Sequence, residues 1–252
     1  MKSPLLLSMD IRQSPIEQDM AIISFYKRPR VEWARPLNCF LGGDAAIGLG
    51  VTHHFFSICM EKLKSGFSLS FAKTNVTPLF EGEPGHLIPS ASPFLMNSDM
   101  FIVAGRIVGH SYLHGGPCLS GLSDAVVHVL LGGSLETATV NLEDCPDFDI
   151  RETIMLLEGE LSLSEEETER VQNLVSSWDL PPLNSTNRAL VFESLLFHAV
   201  SERNLYFMYF QQLVQPNALH LSTISDIPTF ALFASLPGIV MLTWLVELQY
   251  IS

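Results

Sequence analysis

Cysteine is scarce in this sequence. Its four thiols, Cys39, Cys59, Cys118 and Cys145, stand far apart with no C-x-x-C spacing, which excludes zinc-ribbon and thioredoxin-like redox designs. A signal peptide is also missing, because the apolar run Leu5–Leu7 is too short for an h-region. The thiols are therefore expected to be reduced, and the chain to work in the cytoplasm or nucleus. Charge is thin too, at 16% of residues, and positive charge is the thinnest: Lys+Arg 14 against Asp+Glu 27, a net charge of −13. So few cations leave nucleic-acid phosphates without a counter-charge, which argues against nucleic acid as a partner.

What is present is apolar. Hydrophobic residues make up 47% of the 252, with sixteen phenylalanines. Disorder is excluded for most of the chain. A chain this long buries about three quarters of its unfolded surface and folds without disulfides or metal. The acid is concentrated: Glu136 to Glu169 holds twelve Asp or Glu and one base, Arg151. A charge run of this kind normally keeps a surface wet. Its alternative use is as the face that meets a partner.

Punctuation along the chain organises it into short elements. Residues 1–30 carry Pro4, Pro15 and Pro29 and read as an irregular N-terminal arm. The basic cluster Lys27, Arg28, Arg30 and Arg35 is too short for a nucleic-acid patch. Leu37–Leu41 reads as a short strand closed by Gly42-Gly43. Val51–Leu63 reads as a helix with Phe55, Phe56, Cys59, Met60 and Leu63 at helical spacing. The glycines Gly42, Gly43, Gly48 and Gly50 complete neither a P-loop nor a G-x-G-x-x-G, so no phosphate cradle follows. Thr77–Pro89 is loop with short extended pieces.

Asp99–Leu113 is apolar nearly all round and reads as a buried helix. It is stopped at His114-Gly115-Gly116-Pro117, where a glycine at positive φ supplies the cap. Ser123–Leu131 stops at Gly132-Gly133 by the same logic. Ile150–Glu158 is a short helix. Ser164–Trp178 opens on the capping box Ser164-Glu165-Glu166-Glu167. Pro181-Pro182 breaks the chain before a long helix, Asn187–Val214. The expected class is mainly α with a few short strands, α+β overall.

Candidate chemistry is sparse. His110 and His114 lie four apart, a spacing compatible with two metal ligands on one helix face, and His128 follows. No H-E-x-x-H accompanies them and no acidic third ligand stands nearby, so core or cap-bonded histidines are the expected reading. There is no G-x-S-x-G elbow for a serine nucleophile. No catalytic, cofactor-binding or metal residue is assigned on these grounds.

Three ordered blocks carry a resemblance. WARPLNCFLGGDAAIGLGVTHHFF with the PLFEG that follows, AGRIVGHSYLHGGP with its helix, and NRALVFESLLFHAVSERNLYFMYFQQLV resemble the large N-terminal lobe of HECT-type ubiquitin ligases. Within that family they resemble fish proteins similar to the G2/M-phase-specific ubiquitin ligase, including in the stretch GGSLETATVNLEDCPDFDIRETIMLLEG. The likeness spans residues 31–214 and implies a HECT-large-lobe-like fold, with a shortened acidic insertion near 136–178 and a divergent apolar tail over 215–252.

The departures from the family are specific. Acidic residues normally precede Phe55-Phe56 where Gly43 and Gly48 stand, and a charged pair where His53-His54 stands. The family's subdomain for gripping the ubiquitin-conjugating enzyme is larger than the thirty-five or so residues, Leu142–Trp178, in that place. The family's catalytic cysteine lies in a C-terminal lobe beyond the closing helix, and no cysteine follows Cys145. Thioester transfer needs a thiolate nucleophile. Cys145 stands among acids, which raise a thiol pKa and make it a poor one.

The resemblance therefore implies a ligase-like protein of the ubiquitin-transfer pathway that does not transfer ubiquitin by itself. Its partner would be a ubiquitin-conjugating enzyme or another protein, met through the acidic segment. The alternative is a non-catalytic adaptor that keeps the lobe as a binding scaffold. A tail-anchored membrane protein keeping the same lobe is the other form of that alternative, since the twenty residues Ile227–Val246 carry no charge and match the length of a bilayer span; Pro228, Pro237-Gly238 and the lack of flanking Lys or Arg favour a soluble end instead.

Overall fold

The computed structural model describes residues 3–33, 35–44, 48–69, 76–130, 133–159 and 162–201. The N-terminal thirty residues correct the sequence expectation of an irregular arm. They hold strand β1 (Leu5–Asp10) and helix α1 (Pro15–Tyr26), and the prolines bracket these elements without breaking them. Pro15 occupies the first helical turn, where its missing N–H has no intrahelical partner to lose. Ser14 caps the helix through a capping box: Ser14 Oγ accepts from the Glu17 N–H, and Glu17 Oε2 accepts from the Ser14 N–H at 3.0 Å.

Strand β2 (Leu37–Gly42) pairs parallel with β1 in the register Leu5↔Leu37 to Asp10↔Gly42. The alternation along β1 buries Leu5, Leu7 and Met9 and turns Leu6 outward. A parallel pair needs a crossover, and α1 supplies it. Helix α2 (Leu49–Ser65) packs on β2 and on α4 (Met100–Leu113), which also packs on α1. The buried residues of α2 include Phe55, Phe56, Cys59, Met60 and Leu63, and α4 is buried nearly all round. Asp19 of α1 lies wholly inside, where it pairs with Lys62 Nζ at 3.0 Å and accepts from the Ser68 N–H. That bond ties α1 to α2.

Between these helices run β3 (Phe80–Glu81) and β4 (Ile88–Pro89), an antiparallel pair, and the short helix α3 (Pro93–Asn97). At the end of α4 the expected stop is in place. Gly115 has φ +70, while Gly116 has an ordinary φ but no room, since a Cβ there would collide with Ser111 Oγ and the Phe56 ring. Helix α5 (Asp124–Leu130) completes the first core, with the Ser123 hydroxyl accepting from the Val126 N–H.

A second, smaller core follows. Helices α6 (Phe148–Met155), α7 (Glu165–Ser177) and α8 (Arg188–Ser201) enclose Cys145, Ile154, Leu157, Val171, Val175, Val191 and Leu195. The capping box at Ser164 is present, with Glu167 as its acid. Helix α8 belongs to both regions, because Phe197 packs against the first core while Val191 and Leu195 line the second. The long helix expected over Asn187–Val214 is described from Arg188 to Ser201, and its remainder lies outside the described residues, as does the run Ile227–Val246. Eight α-helices and four short strands among the described residues make a mixed α+β fold.

Candidate interaction surface

The histidines singled out by spacing do not assemble into one site. His110 is buried, with Nδ1 3.1 Å from the Tyr26 hydroxyl and Nε2 3.1 Å from the Arg35 carbonyl. A carbonyl only accepts, so Nε2 carries the proton and Nδ1 receives the Tyr26 O–H. Burial, with His114 as a smaller contribution, pushes His110 down to about 3, and burial keeps the Tyr26 phenol protonated. His114 lies edge-on to His110 with ring centroids 5.1 Å apart, and its carbonyl accepts from His53 Nε2 at 3.2 Å. His128 bonds Thr137. Both His110 nitrogens are committed to the core, and among the described residues no group of three His, Cys, Asp or Glu is placed to hold a metal.

The thiols are similarly dispersed. Cys59 is buried on α2 and burial raises its thiol well above the ordinary value. Cys39 is half-buried in β2 and pushed up to about 12 by burial. Cys145 is 1% exposed, with Sγ 3.5 Å from the Asp147 carbonyl it donates to. Cys118 is the exposed one. The pair His53-His54 keeps polar contacts despite the glycines before it, since His54 Nδ1 lies 3.0 Å from Asp44.

The acidic segment is where charge and surface coincide. Eleven of its twelve acids are among the described residues, and nine of these are exposed, among them Glu136, Glu143, Asp149, Glu152 and Glu158. Some acids of the segment also build the fold. Asp147 caps α6 by accepting from the Asp149 and Ile150 N–H groups. Asp144 is buried, accepting from the Asn141 N–H and paired with His86 Nδ1 at 2.9 Å. The lone base, Arg151, donates to the Glu143 and Cys145 carbonyls and to Glu83 at 2.6 Å. His86 and Glu83 both sit on the β3–β4 hairpin loop, so these two contacts pin the acidic unit to the first core.

The second core opens into a groove of about 790 Å³ between the α6–α7 connection and the start of α8. Leu157, Leu163, Leu183 and Phe192 line it, with the exposed carboxylates Glu158 and Glu193 in its wall. Arg188, also in the wall, donates to the Leu156 and Leu157 carbonyls and closes the end of α6. The sequence could not show this groove, because its walls are brought together from segments some thirty residues apart.

No protein-family model matches the chain, and no curated protein matches it. Among the described residues no helix is long and apolar enough to cross a membrane.

Proposed function

We propose that this protein is a HECT-large-lobe-like docking protein of the ubiquitin-transfer pathway, which presents its acidic helical unit to a ubiquitin-conjugating enzyme and does not itself carry ubiquitin as a thioester. The observation that carries the reading is the acidic unit. It has its own small core, it is anchored through Asp144–His86 and Arg151–Glu83, and it faces outward with nine carboxylates. Its place in the order of blocks is that of the family's enzyme-gripping subdomain. Three of the four cysteines fit the non-catalytic half of the reading: a thiolate must be reachable and stabilised to attack, whereas Cys59 and Cys145 are buried and Cys39 is held protonated; Cys118 is exposed and is the thiol the test addresses.

The test is to incubate the full chain with ubiquitin-charged conjugating enzymes and resolve products without reducing agent. The expected result is binding without a thiol-sensitive ubiquitin adduct on this chain. An adduct that disappears in Cys118→Ser would overturn the non-catalytic half.

A further inference from the structure

The groove between the α6–α7 connection and α8 combines two chemistries that select one kind of occupant. Its floor of Leu157, Leu163, Leu183 and Phe192 offers apolar contact, and its volume of about 790 Å³ lies within the range of built ligand sites and accommodates several side chains. Glu158 and Glu193 add two carboxylates to its wall, and both are exposed. Among the described residues neither makes a hydrogen bond or ion pair that would consume its charge, and Arg188 in the same wall is engaged by the Leu156 and Leu157 carbonyls. Charge and apolar surface are therefore offered together, on the most acidic part of a chain carrying −13.

We propose that this groove binds a short peptide segment of a partner in which apolar side chains are flanked by lysine or arginine. The apolar side chains fill the floor, and the flanking cations pair with Glu158 and Glu193. An acidic peptide is repelled by both carboxylates and by the field of the whole unit, which steers cations toward it. A second copy of this acidic chain is opposed by the same field. The proposal rests on the docking role of the acidic unit and specifies the chemistry of what docks.

The experiment uses the full chain and a fluorescein-labelled Lys-Leu-Leu-Lys-Leu-Lys peptide, with Glu-Leu-Leu-Glu-Leu-Glu as its counterpart, followed by fluorescence anisotropy. The lysine peptide is expected to bind and the glutamate peptide not to. Glu158→Lys with Glu193→Lys is expected to weaken binding about tenfold, as two reversed surface pairs do. Ala189→Trp, at an exposed position in the groove wall, is expected to weaken it by filling the space while leaving thermal melting unchanged. Glu136→Lys with Glu152→Lys makes the same charge change outside the groove and is expected to have a much smaller effect. Equal binding of both peptides, no binding of either, an unaffected Ala189→Trp, or equal weakening by the two double variants would each overturn the proposal. Binding of a conjugating enzyme measured on the same preparations separates the two readings: enzyme binding without peptide binding removes the groove alone, and peptide binding without enzyme binding removes the pathway assignment alone.

Discussion

The region around Phe55 and the region around Val171 are built by opposite means. In the first, apolar bulk does the work: Tyr26, Trp33, Phe55 and Phe56 are buried in ring contact, and His110 is made to live among them as a neutral imidazole. In the second, the core is a thin seam of Val, Ile and Leu, and much of the order comes from caps and anchors made by acids: Asp147 on α6, Glu167 on α7, Asp144 on His86. The difference separates stability from contact. A large apolar core holds the scaffold, and the small charged unit keeps most of its acids at the surface.

Cavity variants should expose that asymmetry most strongly. Phe55→Ala should cost about 3–5 kcal/mol and lower the stability of the whole chain. Ile154→Ala should cost about 2–5 kcal/mol, but its effect should be local: hydrogen exchange should show faster opening over 142–201 with protection kept in β1, α2 and α4. If Ile154→Ala releases both regions together, they form one cooperative unit and the division fails.

The next effect concerns protons. His110, pushed down to about 3 in the fold from its ordinary 6.5, is neutral in the folded chain and protonated in the unfolded one between those values. The unfolded state then binds more protons, so stability is held above about 6.5 and falls as the pH drops through this window. The loss is roughly 1.4 kcal/mol per pH unit from this group, about 3 kcal/mol by pH 4. Denaturant melts of the parent and of His110→Gln across pH 4–7 check it, and the variant should show the shallower slope. An identical slope would mean that His110 is protonated inside the core.

Two smaller effects follow. Gly116→Val should cost about 1–3 kcal/mol through the crowding of Ser111 and Phe56, and Gly115→Val on the order of 1–2 kcal/mol through its positive φ. Thermal melts of both rank crowding against backbone strain. In the acidic unit, Ser164→Ala should cost about 1 kcal/mol by removing the cap of α7, visible as faster exchange of the first-turn amides alone.

Several helices of this protein are legible where glycine and proline punctuate an apolar period. The stop of α4 at Gly115, the box at Ser164 and the buried nature of α4 all follow from local rules. The N-terminal strand and helix are less legible: Ser14-Pro15-Ile16-Glu17 carries the same box as Ser164, but three prolines within thirty residues argue for irregular chain. The pairing of β1 with β2 spans some thirty residues and leaves no local trace. Four-residue spacing placed His110 and His114 together, but only packing shows that His110 bonds Tyr26 and Arg35. The cluster Lys27, Arg28, Arg30 and Arg35 divides in the fold: Arg28 lies over the Phe25 ring at 4.0 Å and Arg35 holds Ser3.

The most direct measurement is the affinity of the full chain for ubiquitin-conjugating enzymes as a function of ionic strength, with and without charge reversal of the exposed acids Glu143, Glu152 and Glu158. Docking through the acidic unit predicts affinity that falls steeply with salt and is lost on reversal, while melting of the first core is unchanged. Affinity that ignores both salt and reversal would contradict it.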